Sequence, residues 1–437
     1  MTCKKINNVT IIGGTRGLGK WMAEHLKNDF KITITSRNEE TGRKIAEKLD
    51  VDYNSNNINA VKDADIILFC VPIEFMADTI KEVAPLAPAG SLLMDVASIK
   101  TEAAEALEKY APENVEIMPC HPMFGPRVPT LERQIIVLAP SKNRPNHWLD
   151  RITEYLNKVN CEIVITTPEE HDKYMSIVQG LTHFSFITLA STIRKLNINV
   201  KESRNFSSPV YSLMLDMVSR IVYQNPYLYY SIQKNNKETE NARKALIKES
   251  IYLSNLIEEG DEKDFVKNIV ESAQHLDERE EALIRSDKVI SMTSQKANIL
   301  TKSIGKEIGI HQSYTKETYV GTVEKVTSKN VMLNTGDSEI TMNISNIEIL
   351  SEKELYEWKK NHLKLKHFNL KVLMPHGCSE EYLIKMFKNI EHVIDAEIIN
   401  TNIHDLKTEY TFHYTLFDEK NKTYVEEYVK GIGGEIL

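Results

Sequence analysis

The stretch Ile12-Gly13-Gly14-Thr15-Arg16-Gly17-Leu18-Gly19-Lys20 limits the possible folds more than any other part of the chain. The apolar run Val9-Thr10-Ile11-Ile12 precedes it, and a helical segment reaching about Asn28 follows. A glycine turn between a strand and a helix is the context a dinucleotide fingerprint needs. Counted from Gly14 to Gly19, the G-x-G-x-x-G pattern lacks its middle glycine, which Arg16 replaces. Two readings stand: a nucleotide-binding turn and an ordinary glycine turn. In the first, the free N–H groups of the helix start would receive a pyrophosphate, with Arg16 as an added cation. Gly14, Thr15, Arg16 and Gly19 are then cofactor-binding candidates.

The rest of residues 1–166 repeats the alternation. Apolar runs at Lys31–Thr35, Ala64–Val71, Ser91–Asp95, Val115–Met118, Gln134–Leu138 and Cys161–Ile165 are separated by helical segments. This predicts an α/β domain with a Rossmann-type, doubly wound and mostly parallel sheet. Residues 167–290 change texture and predict an all-helical domain. Glu169–Leu196 has no proline and one glycine, and reads as a single long, largely buried helix. Pro209 sits at a helix start. The C-terminal region reads as α+β. A small β segment at 315–350 alternates with period two around the turn Asn334-Thr335-Gly336-Asp337. Residues 365–437 then follow the order βαββαβ, the ferredoxin-like pattern.

Composition narrows the function classes. Hydrophobic residues make up 41% of the chain, enough for real cores. Lys+Arg 54 against Asp+Glu 62 gives a net charge of -8, which argues against nucleic acid or an anionic membrane as partner. An anionic ligand must be held by a few local cations. Cys3, Cys70, Cys120, Cys161 and Cys378 form no C-x-x-C pair, which suits reduced thiols and no metal site. With no apolar signal core and no window of about 20 apolar residues, the expected location is cytoplasmic.

Candidate site residues cluster after strands. The second strand ends in Thr35-Ser36-Arg37-Asn38, where an NAD site would carry an acid. Ser36 and Arg37 fit a ribose 2′-phosphate, so NADP is favoured over NAD; the plain alternative is a solvated loop arginine. Asp95-Val96-Ala97-Ser98-Ile99-Lys100 offers Ser98 either as a helix N-cap or as a site hydroxyl. His121 precedes Pro122, which pushes its backbone toward an extended conformation. It lies just past the strand ending at Met118, at the sheet edge where ligands bind. His183, in Gln179-Gly180-Leu181-Thr182-His183-Phe184, is a core histidine or a site residue. Arg220 stands in the apolar run Met217–Val222; a buried arginine needs a counter-charge, from an anionic substrate or from an Asp or Glu.

Taken together these segments resemble the prephenate dehydrogenase family, the oxidoreductases of tyrosine biosynthesis. The likeness is carried by the glycine turn, Cys70-Val71-Pro72-Ile73, Asp95–Lys100, His121-Pro122-Met123-Phe124-Gly125-Pro126, Glu170-His171-Asp172, Leu181–Phe184, Ser207-Ser208-Pro209-Val210-Tyr211 and Arg220–Pro226. They occur in family order over residues 8–285. The resemblance implies hydride transfer from the ring carbon bearing prephenate's hydroxyl to the nicotinamide, with loss of the ring carboxylate as CO2, giving 4-hydroxyphenylpyruvate. By motif position His121 would accept the hydroxyl's hydrogen bond or proton. Ser98 would orient His121 and help place the nicotinamide. Arg220 would clamp a substrate carboxylate, His183 would face the pyruvyl side chain, and Val71 and Pro72 would border the cofactor. The helical domain would mediate a homodimer.

Arogenate dehydrogenase, with the same fold and chemistry, is the enzyme alternative. A non-catalytic, cofactor-binding regulatory protein is the other, and the joint presence of Ser98, His121, His183 and Arg220 speaks against it. Arg16 and Arg37 depart from the family's NAD pattern. The resemblance leaves out residues 290–437. Their last module is similar to ACT regulatory domains, which would make tyrosine a feedback ligand. Met374-Pro375-His376-Gly377-Cys378, however, lacks the usual ligand-loop pattern, and a plain extra domain is the competing reading.

Overall fold

A computed structural model describes residues 7–437, which divide into two compact units between Asp277 and Glu278. In the first unit β1 (Asn8–Ile12), α1 (Gly17–Leu26), β2 (Lys31–Thr35), α2 (Glu39–Leu49), β3 (Asp52–Asn54), α3 (Asn57–Ala60), β4 (Ile66–Phe69), α4 (Ile73–Val83), β5 (Leu92–Asp95), α5 (Thr101–Tyr110) and β6 (Glu116–Ile117) alternate. Every residue of β4 and β5 is buried, as in a sheet covered on both faces. The six strands are parallel, in the order β3-β2-β1-β4-β5-β6. That is the Rossmann order, with its reversal between β1 and β4. The loops leaving Ile12 and Phe69 therefore splay apart and open a cleft at the carboxyl edge.

A separate sheet follows: β7 (Cys120–Pro122), β8 (Ile135–Leu138) and, after α6 (His147–Lys158), β9 (Glu162–Ile165). His121 is therefore not in a loop beyond the Val115–Met118 strand. It lies within β7, paired antiparallel with Val137. The pairing fixes its backbone in the extended state that Pro122 already favours.

The helical region departs from its expected form. Glu169–Leu196 is not one α-helix but α7 (Pro168–Met175), a π-helical stretch Ser176–Leu181 and α8 (Thr182–Lys195). It is also not largely buried: Tyr174, Ile177, Val178 and Leu196 are exposed, and no residue of α8 is buried. After α9 (Val200–Ser203) come α10 (Pro209–Val222), α11 (Pro226–Asn235), α12 (Glu238–Glu259) and α13 (Glu262–Leu276). Among the described residues no helix is long and apolar enough to cross a membrane. Cys70, Cys120, Cys161 and Cys378 are free thiols; Cys3 lies outside the described residues.

The second unit starts with α14 (Arg279–Lys302). A five-stranded sheet of β10 (Glu307–Gln312), β11 (Thr318–Val326), β12 (Asn330–Asn334), β13 (Glu339–Asn343) and β14 (Ile347–Ile349) closes over Leu300 of α14. After α15 (Glu352–His362) come β15 (Lys366–Pro375), α16 (Glu380–Lys388), β16 (Val393–Ile403), β17 (Lys407–Leu416), α17 (Lys422–Gly431) and β18 (Glu435–Ile436). These strands form an antiparallel sheet in the order β16-β17-β15-β18, packed around Phe387, Phe412 and Tyr414.

Candidate active site

A cleft of about 1270 Å³ runs along the carboxyl edge of the six-stranded sheet, across the β1/β4 reversal. One end is built by the glycine turn. Gly13 has φ +87, and a Cβ there would stand 2.7 Å from the Cys70 carbonyl oxygen, so the turn admits no larger residue. Gly19 abuts the same turn: its Cβ would meet the Gly13 carbonyl oxygen at 2.5 Å. Gly14 does not line the cleft. It is buried against Ile34 and holds the turn to β2 through Gly14 N–H donating to the Thr35 carbonyl at 3.1 Å. The cleft-lining glycines of this turn are Gly13, Gly17 and Gly19.

The start of α1 opens onto the cleft without a side-chain cap: Arg16, extended at φ -142, makes no capping hydrogen bond. Its first-turn N–H groups are open to an anion such as a pyrophosphate. The buried Thr35 hydroxyl, also in the cleft wall, has no partner among the described residues. Thr15, Ser36, Arg37, Val71 and Pro72 complete this end, and the Arg37 guanidinium lies 4.7 Å from the Phe75 ring centre. The donor set suits a pyridine dinucleotide.

The other end holds Ser98, His121, Gln179, His183, Arg220 and Tyr229. The π-helical stretch explains how one helical segment contributes twice. His183 follows His171 by twelve positions. An α-helix at 3.6 residues per turn would overshoot by about a third of a turn. The wider i→i+5 coil absorbs the excess, and such coils recur at functional sites. Gly180 lets it pack: a Cβ there would stand 2.6 Å from Thr239. His183 meets Tyr229 edge-on at 4.7 Å, and burial lowers its pKa. Two buried polar atoms, Gln179 Oε1 and His183 Nδ1, have no partner among the described residues.

Arg220 corrects an expectation. It is exposed at the cleft rather than buried in the apolar run, and it makes no ion pair among the described residues. It needs no structural counter-charge and is available to an anion. Ser98 corrects another. The N-cap of α5 is Lys100, and Ser98 lies in the cleft wall instead.

His121 is 3% exposed, and its hydrogen bonds were not legible in the sequence. Its Nδ1 lies 2.9 Å from His171 Nε2, so that nitrogen is not available to Ser98. His171 Nδ1 lies 2.8 Å from an Asp172 carboxylate oxygen. The other ring nitrogen, His121 Nε2, meets the Gln179 amide Nε2 at 3.4 Å. The fully buried Lys100 pairs with Asp95 and donates to the carbonyl of Cys120, the residue before His121, at 2.6 Å. Burial first, then the nearby Lys100 ammonium, hold the His121 pKa well below its ordinary value, so the ring is neutral at physiological pH and keeps one nitrogen lone pair free. Burial raises Asp95, and Lys100 opposes that rise. His171, Asp172 and Lys100 are the residues that sequence reasoning left without a role. Glu170-His171-Asp172 was visible as a motif, but its partners lie 50 to 72 positions away.

Comparison with known proteins agrees with this geometry. The family model described as "Prephenate dehydrogenase, nucleotide-binding domain" matches residues 22–165, and "Prephenate dehydrogenase, dimerization domain" matches 167–271. The "Probable arogenate/prephenate dehydrogenase" of Methanocaldococcus jannaschii is 38% identical over 395 residues, spanning 90% of this chain and 88% of the relative. The "T-protein" of Haemophilus influenzae is 28% identical over 236 residues, 53% of this chain and 57% of the relative. Among solved structures, prephenate dehydrogenase from A. aeolicus in complex with hydroxyphenyl propionate and NAD+ superposes with a TM-score of 0.53 at 21% identity, covering 64% of this chain and all of that one. That likeness speaks to the fold alone. With a Rossmann nucleotide site, a matching helical domain and a relative similar over nearly its whole length, the chain belongs to the prephenate dehydrogenase family of pyridine-nucleotide oxidoreductases in tyrosine biosynthesis.

Proposed function

We propose that the chain is a prephenate dehydrogenase, converting prephenate to 4-hydroxyphenylpyruvate and CO2, with NADP favoured over NAD. The observation that carries the reading is a neutral, buried His121 whose Nε2 faces a cleft that also holds Ser98, His183 and an unpaired Arg220. The nicotinamide, when bound, supplies the hydride acceptor. His121 Nε2 takes the hydrogen bond, and transiently the proton, of the ring hydroxyl as its carbon becomes electron-deficient. Decarboxylation returns an electron pair to the ring, and the phenolate oxygen recovers that proton, so none is released overall. Arg220 holds a substrate carboxylate, where a forked guanidinium gives two hydrogen bonds. His183, kept neutral by burial, lies beside the pyruvyl group, and Ser98 borders the nicotinamide.

Arogenate has the same ring chemistry, and the name of the M. jannaschii relative covers both substrates. Absorbance at the reduced-nicotinamide band, with each substrate and each cofactor, tests the reading. Fastest reduction is expected with prephenate and NADP. Preference for arogenate would reassign the substrate, and no reduction with either would overturn the function. The exposed Ile177, Val178 and Val210 support a homodimer through the helical region, testable by light scattering. The free thiols support a cytoplasmic location. For residues 365–437, the strand order β16-β17-β15-β18 supports a ferredoxin-like, ACT-like reading, and adding tyrosine to the assay tests feedback.

A further inference from the structure

We propose that His171 is a positioning residue for the reaction: it fixes the tautomer of His121 so that Nε2 is the bare, basic nitrogen, and Asp172, docked on the start of α5, anchors the pair. This rests on the reading that His121 accepts the hydroxyl's proton.

The tautomers follow from Asp172 outward. Its two oxygens accept from Lys100 N–H at 2.8 Å, Thr101 N–H at 2.9 Å, the Thr101 hydroxyl at 2.6 Å and His171 Nδ1 at 2.8 Å. The two backbone donors open α5, where the helix dipole favours an anion. Burial pushes the Asp172 carboxyl up, but the hydrogen bonds from His171, Thr101 and Lys100 outweigh it and hold the pKa below the ordinary carboxylate value. An ionised carboxylate can only accept, so His171 Nδ1 carries the hydrogen. A neutral His171 then presents Nε2 as an acceptor. Its neighbour at 2.9 Å, His121 Nδ1, must be the donor. His121 Nε2 is left without a hydrogen, facing the cleft and accepting from the Gln179 amide at 3.4 Å.

The opposite arrangement is disfavoured. A cationic His171 would donate to His121 Nδ1 and force the hydrogen onto His121 Nε2, removing the base. It would also add a cation beside the buried Lys100 ammonium, whose counter-ion Asp95 is already engaged. During the reaction the proton arrives at His121 Nε2. The Nδ1 proton can then shift to His171 Nε2, placing the charge against Asp172, and both moves reverse when the phenolate reclaims its proton.

Nitrogen-15 NMR of the wild-type histidine rings, assigned with His121→Asn and His171→Gln, reads the tautomers without relying on a variant's activity. Both rings are expected to be protonated at Nδ1 and bare at Nε2 at neutral pH. A hydrogen on His121 Nε2 would overturn the proposal. In kinetics, His171→Gln and Asp172→Asn should each lower kcat by about 10²-fold, within the range for a positioned base, with KM nearly kept. In a His121→Asn background, His171→Gln should cost almost nothing more, since residues acting as a unit are non-additive. Independent, multiplying losses would show that His171 acts elsewhere. If His121→Asn itself leaves kcat intact, the base reading fails. If it abolishes kcat while His171→Gln does not, only the positioning role fails.

Discussion

The two units bury different kinds of side chain. Residues 7–277 enclose Asp95, Lys100, His121, His171 and Asp172, and of these His121 lines the cleft. Among the described residues of the second unit, the buried polar side chains are Thr408, Thr411 and Thr415, all on β17. Its β15–β18 module is instead packed with rings: Phe387 stacks on Phe412 at 3.8 Å, and Tyr414 is fully buried. Buried ionisable groups cost several kcal/mol each unless paired, and strongly shifted ones gather where chemistry is done. The first unit carries that cost for reactivity, and the second is built for stability. Changes in the first should therefore strike turnover, and changes in the second should strike folding.

The largest effect is expected at the centre of the polar cluster. His121→Asn should lower kcat by about 10²–10⁴-fold while prephenate affinity stays nearly constant, as steady-state kinetics would show. An unchanged kcat would dissolve the contrast. The matching test in the second unit is Phe412→Ala, expected to cost about 3–5 kcal/mol of stability. Calorimetry should show a transition moved down, while the assay at low temperature shows normal turnover. A parallel fall in kcat would mean that the second unit takes part in catalysis.

How legible each region was follows from the range of its interactions. The strand–turn–helix alternation of the nucleotide domain is local, and each parallel strand declares itself as a short apolar run. The residues brought to the cleft were also marked locally, by a proline after His121 or an apolar setting around Arg220. What stayed hidden depends on distant partners. Nothing near Ser98 says that Asp172, far along the chain, occupies the start of α5 and leaves Ser98 free of a capping role. The π-helical stretch has no composition of its own; Gly180 is its trace, and its consequence is that His171 and His183, twelve positions apart, serve the same site. Arg220 looked buried because its neighbours are apolar, yet several of them, Met217 and Val222 among them, are themselves exposed. Strand β10 lies ahead of the β segment read at 315–350; a six-residue stretch with Gly309 in its middle is a weak strand signal.

An intermediate effect is expected at Arg220. Since it is exposed, its loss leaves no unpaired buried charge. Arg220→Ala should cost about 1.5–3 kcal/mol, as a KM raised by one to two orders of magnitude with kcat largely retained. A kcat loss without a KM change would place the residue in the chemical step. The polar cluster also leaves a signature in stability. His121 is held neutral in the folded state, while the unfolded chain's histidine protonates near pH 6.5. The fold should therefore lose stability as pH falls below about 6.5, at up to about 1.4 kcal/mol per unit for this one group. Asp95, raised in the fold, works in the opposite direction as it becomes protonated, and Asp172, lowered, loses its contribution only below the ordinary carboxylate range. Comparing melting temperatures of wild type and His121→Asn cancels both. The wild type should fall faster between pH 6.5 and 5, and parallel curves would show that His121 is not held neutral.

The smallest effect concerns the cofactor end, where the cluster gives way to exposed residues. Arg37 lies over Phe75, is exposed, and has no carboxylate partner among the described residues. Asn38, at the position following it, is spent on capping α2 by accepting from Thr41 N–H at 2.8 Å. A 2′-phosphate at this end of β2 would meet a ready cation, whereas a bare 2′-hydroxyl gains little from one. A solvent-screened ion pair is worth about 1 kcal/mol or less. Arg37→Ala should therefore lower kcat/KM with NADP by roughly fivefold and leave NAD almost untouched. An unchanged ratio between the two cofactors would remove the basis for NADP preference, and the contrast would sharpen to one between His121, Lys100 and Asp172, which the fold encloses, and a nucleotide end selected by shape.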